Sequence, residues 1–171
     1  IRIKGGSHER VRQEILSPHR FPWSDIFVCG YGAGRGTSGT GDVVGYTAIN
    51  AVYNLFNYGE GLQNPELTLR RVSASKSFLI DTLKALMIGS GFEITLPASG
   101  VTVGGPWGDD MPLRDLADGY KSTFLWVTDF LGWALAREPQ LQSSSAISGI
   151  VLIDEIEQHL HPQWQRIVVA S

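Results

Sequence analysis

Ser148-Gly-Ile-Val-Leu-Ile-Asp-Glu-Ile-Glu-Gln-His-Leu-His-Pro162 sets four consecutive aliphatics, Ile150 to Ile153, directly ahead of an acidic pair, Asp154 and Glu155. A short apolar run rich in β-branched residues and opened by Ser-Gly reads as a strand buried on both faces, the kind found in parallel sheets. Carboxylates at the C-terminal end of such a strand stand where open α/β sheets bind their ligands. One carboxylate there can hold Mg²⁺ while its neighbour orients or deprotonates a water. Taken alone, the pair is equally compatible with the start of a solvated loop. Pro162 suits the first turn of a following helix.

The chain has 171 residues, 43% hydrophobic and 18% charged, enough for one globular core. A formal charge of −3 gives no global attraction to nucleic acid, and no Lys/Arg-rich run stands out. The single cysteine, Cys29, excludes an internal disulfide and lies in an apolar run, where a buried structural thiol is expected. No segment approaches the roughly 20 apolar residues of a membrane span, and the N-terminus lacks the apolar core of a secretory signal. A cytoplasmic location is expected.

Residues 7–16 have the makings of a short helix capped by Ser7, and Asp25-Ile-Phe-Val-Cys29 reads as a buried strand. Behind it comes Gly30-Tyr-Gly-Ala-Gly-Arg-Gly-Thr-Ser-Gly-Thr-Gly41. A glycine-rich loop after a strand invites a phosphate-binding reading. The pattern G-x-x-x-x-G-K-[ST] needs a lysine, however, and none occurs between Lys4 and Lys76. The G-x-G-x-x-G at Gly34, Gly36 and Gly39 opens no clean helix, so a surface loop is the reading. Helical spacing recurs over 47–57. Asn64-Pro-Glu66 then supplies a cap, a first-turn proline and an acid for the positive end of a helix running to about Ile88. Short strands are expected at Phe92–Leu96 and Val101–Val103, and a turn over Gly104–Asp110. Thr123 to Ala136, dense in apolar residues, reads as a buried helix preceded by a small polar turn, Leu113 to Ser122. No internal repeat separates the chain into two domains.

Longer matches add to this reading. Ile153 to Arg166 closely resembles the Walker B and D-loop segment of ABC-type, RecF/SMC-like ATPases (AAA-type ATP-binding proteins) of the DNA-repair and phage-defence class. Phe27-Val-Cys-Gly-Tyr-Gly-Ala-Gly-Arg35 is similar to the strand and loop that follow the phosphate lobe in that family. Leu116-Ala-Asp-Gly-Tyr120 resembles its signature motif, there usually L-S-D-G-Y, with Ala117 in place of the serine. The resemblance implies an α/β, three-layer, partial P-loop NTPase domain with mostly parallel core strands. Residues 1–171 would form a single incomplete ATPase head, without the Walker A lobe and without the segment after the D-loop helix.

It further implies ATP and Mg²⁺ as cofactors, Asp154 as metal ligand and Glu155 as the catalytic carboxylate. Ala117, Asp118, Gly119, Lys121 and Ser122, with His161 of the D-loop, would serve as nucleotide-binding residues. In such heads the signature meets the γ-phosphate of a nucleotide held by the opposite subunit, so a second head is the implied partner, a homodimer being the simplest case. DNA and an associated nuclease are implied further partners, and no membrane. The missing Walker A implies that the isolated chain does not hydrolyse ATP. Two rival readings stay open: a non-catalytic interaction module derived from such a head, and an unrelated Mg²⁺ enzyme using Asp154, Glu155 and Glu157.

Overall fold

Strand Phe27–Tyr31 pairs in parallel with Gly149–Ile153, more than a hundred residues away. The computed structural model describes residues 2–4, 12–14, 25–42, 45–73, 77–86, 91–105 and 107–158. In chain order the elements are β1 (Arg2–Lys4), β2 (Arg12–Glu14), β3 (Phe27–Tyr31), α1 (Ala48–Phe56), α2 (Pro65–Ser73), α3 (Ser77–Leu86), β4 (Glu93–Thr95), β5 (Thr102–Gly105), β6 (Gly108–Pro112), α4 (Asp118–Arg137) and β7 (Gly149–Ile153). β3 and β7 form the parallel pair, β4-β5-β6 an antiparallel sheet, and β1-β2 an antiparallel pair.

Side chains alternate across a strand, and β3 uses both of its faces. Gly30 turns toward α1, where an added Cβ would stand 3.1 Å from Leu55 Cβ and 3.2 Å from Val52 Cα. Glycine is therefore what lets helix and strand come so close. Phe27, Cys29 and Tyr31 turn toward α4: Phe27 packs on Phe130 and Tyr31 on Trp126, both with ring centroids 5.8 Å apart. The result is helix, parallel strands, helix, an α/β arrangement in three layers. Among the described residues, the edge of β3 away from β7 is met by side chains. The Tyr46 hydroxyl accepts from Val28 N–H (2.8 Å) and donates to Val28 C=O (3.1 Å), and Asn54 Oδ1 accepts from Gly32 N–H (3.1 Å). Those contacts answer the main-chain groups that an edge strand leaves open.

Several expectations are corrected. β7 was expected to be buried on both faces, yet Ile150, Val151 and Leu152 remain 45%, 40% and 45% exposed. Among the described residues β3 is its one strand partner, and both flanking helices centre on β3. The glycine-rich stretch is not a free surface loop. Arg35 N–H donates to Gly32 C=O, Gly39 N–H to Leu62 C=O and Leu62 N–H to Thr37 C=O, which docks the loop on the segment after α1. Arg12–Glu14, expected within a helix, is strand β2. The turn expected over Gly104–Asp110 contains the start of β6, and α4 begins at Asp118 rather than at Thr123. The expected helix from Pro65 is found as α2 and α3, on either side of residues 74–76, which lie outside the described residues. Asn64 caps it as expected, its Oδ1 accepting from Glu66 and Leu67 N–H.

The docked loop yields a paired prediction. A Cβ on Gly34 would stand 2.7 Å from the Tyr58 carbonyl oxygen, whereas one on Gly36 meets nothing within 4 Å. Gly34→Ala is expected to destabilise the chain by about 1–3 kcal/mol in urea unfolding, and Gly36→Ala to stay within about 0.5 kcal/mol of wild type. Equal effects would mean that the loop is not held against Tyr58.

Candidate functional site at the strand ends

The ladder between β3 and β7 runs one residue beyond the strands, with Asp154 N–H donating to Tyr31 C=O (2.9 Å). There the chain turns away. Glu155 takes a left-handed backbone (φ 48°), and Gln158 N–H closes a turn onto Glu155 C=O (2.9 Å). A bent chain end exposes carbonyl oxygens that no ladder can satisfy. They are answered by Arg35, 1% exposed, whose Nη1 donates to Gly32 C=O (3.1 Å) and Asp154 C=O (2.7 Å) and whose Nη2 donates to Glu155 C=O (2.7 Å) and Gln158 C=O (3.4 Å). Burial lowers the guanidinium pKa from its ordinary value, and the carboxylates of Asp154, Glu155 and Glu157 oppose that shift. Residues Asp154 and Glu155 are themselves exposed, so their carboxylates face solvent at the C-terminal end of a parallel strand.

The second group sits on α4. Its N-cap is Ala117, which makes no side-chain cap, so the first N–H groups of a 20-residue helix lack a side-chain acceptor. The positive end of such a helix favours an anion. Ala117 and Asp118 are exposed, Gly119 and Lys121 half-buried, and Lys121 Nζ lies 3.5 Å from Asp118 Oδ1. Ser122, more than one helical turn along from Ala117, is buried at 4% exposure. Tyr120 fixes the first turn by packing on Trp107 and Phe92, with ring centroids 5.0 and 5.7 Å away. A cleft of about 690 Å³ opens beside it, lined among others by Thr37, Ser38, Arg114 and Lys121.

Contacts along α4 order the two groups in space. Trp126 lies at Tyr31, Phe130 at Phe27, and Arg137 donates to the carbonyl of Asp25. The helix therefore runs antiparallel to β3 and β7, and its N-terminus lies on the same side of the sheet as Asp154 and Glu155. At 1.5 Å rise per residue, Ala117 to Ser122 extend roughly 6–14 Å beyond the level of Trp126. The two groups share one end of the molecule but are carried by different elements. His161 lies outside the described residues.

Sequence reasoning missed Asp129, an acid in the middle of an apolar helix and 3% exposed. Its Oδ2 accepts from the Tyr31 hydroxyl (3.0 Å) and its Oδ1 from Gln63 N–H (2.8 Å). Burial pushes its pKa up to about 6, against the bonds from Gln63, Tyr31 and Trp133 that hold it down. Nearby Cys29 is fully buried, and burial first, then the Asp129 charge, push its thiol up to about 12, so it is inert as a nucleophile. The one signal for Asp129 was its misfit in the apolar run. Arg35 closes the Phe27–Arg35 motif match, but its partners, 119 to 123 residues further on, were not readable from it.

A family model described as "AAA domain, putative AbiEii toxin, Type IV TA system" matches residues 66–170. The chain is similar to the "Retron Vc95 probable ATPase" of Vibrio cholerae serotype O1 biovar El Tor, with 37% identity over 62 residues, 36% of this chain and 12% of that protein. It is also similar to the "Septu protein PtuA" of Bacillus mycoides (strain KBAB4), with 40% identity over 58 residues, 34% of this chain and 8% of that protein. The matches thus cover only about a tenth of the length of these curated relatives. Among the described residues no helix is long and apolar enough to cross a membrane, and no group of three or more His, Cys, Asp or Glu converges on one point.

Two outcomes follow from this geometry. With an ordinary value of 3.8 and a folded value of about 6, Asp129 keeps its proton in the folded chain where the unfolded chain has released it. Its contribution to stability is therefore full below about pH 4 and lost as the pH rises through about 6. Asp129→Asn removes that titration. Relative to wild type, the variant should gain about 2–3 kcal/mol between pH 4 and pH 7 in urea unfolding, and a flat difference would mean an ordinary carboxylate. Ala117→Ser supplies the missing cap and should stabilise the chain by about 0.5–2 kcal/mol, read as a higher thermal midpoint.

Proposed function

The chain belongs to this AAA domain family, an α/β P-loop NTPase domain, and from that premise we propose that it is part of an ABC-type, RecF/SMC-like ATPase head that binds and hydrolyses ATP between two heads. The observation that carries the proposal is the end of β7. Two solvent-facing carboxylates follow a parallel strand while the main chain beneath them is held from below by Arg35. Asp154 would hold Mg²⁺, and such an ion when bound neutralises charge on the phosphates. Glu155 would orient and deprotonate the attacking water. The residues fit these groups: the carboxylates are exposed where the fold places ligands, and α4 begins without a side-chain cap at the helix end that favours an anion.

Ala117, Asp118, Gly119 and Lys121 would face the γ-phosphate of a nucleotide on the opposite head. They stand forward of the strand ends, a placement suited to contact in trans. His161, carried over from the D-loop resemblance, would contact the nucleotide. The sequence has no G-x-x-x-x-G-K-[ST], so the lysine that grips the phosphates would come from outside residues 1–171. Catalysis would rest on position and electrostatics, as in phosphoryl transfer generally. The names of the relatives, a retron ATPase and a Septu protein, together with the toxin in the family description, support a role in anti-phage defence. DNA repair is the other setting for heads of this kind, and DNA or a nuclease the accompanying partner.

One observation favours a non-catalytic interaction module: Ala117 removes a hydroxyl whose hydrogen bond to a charged phosphate oxygen is worth about 1.5–3 kcal/mol. Substitution of Glu155 separates the readings. In the whole protein, Glu155→Gln is expected to lower MgATP turnover by about 10²–10⁴-fold while ATP-driven association of two heads persists. Unchanged turnover would remove Glu155 from the mechanism and leave the interaction module.

A further inference from the structure

We propose that Arg35 is a positioning residue for Glu155: it locks the turn Asp154–Gln158 through main-chain carbonyls and leaves both carboxylates free for chemistry. The inference rests on the ATPase reading above.

Three observations carry it. First, the bonds go to backbone oxygen. Arg35 reaches the carbonyls of Asp154 and Glu155 at 2.7 Å each and that of Gln158 at 3.4 Å, not the side chains of the acidic pair. An arginine meant to neutralise the acids would form a fork on a carboxylate. Here the fork spans two consecutive carbonyls, a geometry that a lysine's single ammonium cannot reproduce.

Second, the turn is strained where the chemistry would occur. Glu155 has φ 48°, a left-handed region that is unfavourable for a residue with a Cβ and persists only where neighbours over-determine it. Arg35 Nη2 and Gln158 N–H both donate to the carbonyl of that one residue, which is how the conformation is held. A left-handed residue sends its side chain in a different direction from an extended one, so the same bonds decide where the Glu155 carboxylate points.

Third, Arg35 is a rigid base. It is 1% exposed, its own N–H and its Nη1 both bond Gly32 C=O, and its loop is docked through Gly39, Thr37 and Leu62. Burying a guanidinium is expensive unless its donors are used, and four carbonyl contacts use them.

The test combines hydrogen exchange with kinetics on Arg35→Lys, with Arg35→Gln as the second variant. In the chain itself, exchange of the Gln158 amide is expected to speed up at least about tenfold, while the β3 amides of Cys29 and Tyr31 stay protected and report an intact fold. In the whole protein, kcat with MgATP is expected to fall at least about tenfold with KM changed less than about threefold. The same substitution placed on Glu155→Gln should cost nothing further, because there is no base left to position. An unchanged Gln158 amide overturns the proposal, as does faster exchange with unchanged kcat, or an equal loss of kcat in both backgrounds. If the wild-type whole protein shows no MgATP turnover, the ATPase reading fails, and the exchange result still decides whether Arg35 holds the turn.

Discussion

One buried carboxylate ties together three segments that the sequence keeps far apart. Asp129 of α4 receives the Tyr31 hydroxyl from β3 and the Gln63 N–H from the approach to α2. A carboxyl taken out of water is tolerable only when its oxygens are bonded, and here both are. The same bonds set the height of α4 against β3. Since α4 is one continuous 20-residue helix, fixing it at Asp129 also fixes where its uncapped N-terminus projects beyond the strand ends. A residue of the core thereby determines the geometry of a surface.

Much of this was legible from local chemistry. The aliphatic run before Asp154, the apolar run before Gly30 and the Asn64-Pro-Glu66 cap each depend on a handful of adjacent residues, and each produced the element expected of it. What was not legible depends on partners distant in sequence. The exposure of Ile150, Val151 and Leu152 shows the limit most plainly, since an apolar run predicts a strand but not what covers it. β6, written Gly-Asp-Asp-Met-Pro, has almost no strand-forming residues. It exists because Val103 and its neighbours offer an edge with which it can pair.

The glycine-rich loop shows how composition misleads about class while remaining informative about geometry. Glycines clustered after a strand suggest anion binding because they let N–H groups converge. In this chain Gly34 lets the loop approach Tyr58 at a distance that a Cβ would forbid, and Gly30 lets β3 lie against α1 where a Cβ would crowd Leu55 and Val52. The N–H groups of Gly32, Arg35 and Gly39 already donate to protein oxygens, so the cradle that a phosphate needs is spent on docking. The residue within the loop that reaches the candidate site is its one cation. Composition made the glycines conspicuous and left Arg35 inconspicuous.

Holding a reactive group through its backbone differs in consequence from holding it through its side chain. A carboxylate engaged by arginine has its charge compensated and its lone pairs occupied, which suits an ion pair and hinders a metal ligand or a base. A carbonyl engaged by arginine leaves the side chain of the same residue at liberty while still fixing its direction. At the end of β7 the cation takes the carbonyls of Asp154, Glu155 and Gln158, and the carboxylates of the first two face water. Coulomb attraction from the buried guanidinium is still felt there, but without contact, so these acids are oriented and not consumed. The same division recurs on α4, where Tyr120 anchors the first turn in an aromatic cluster while the neighbouring N–H groups are left without a cap. In both places the fold spends its strong contacts on the frame. What faces outward is chemically unfinished: two solvent-facing carboxylates, and a helix end whose N-cap side chain supplies no acceptor.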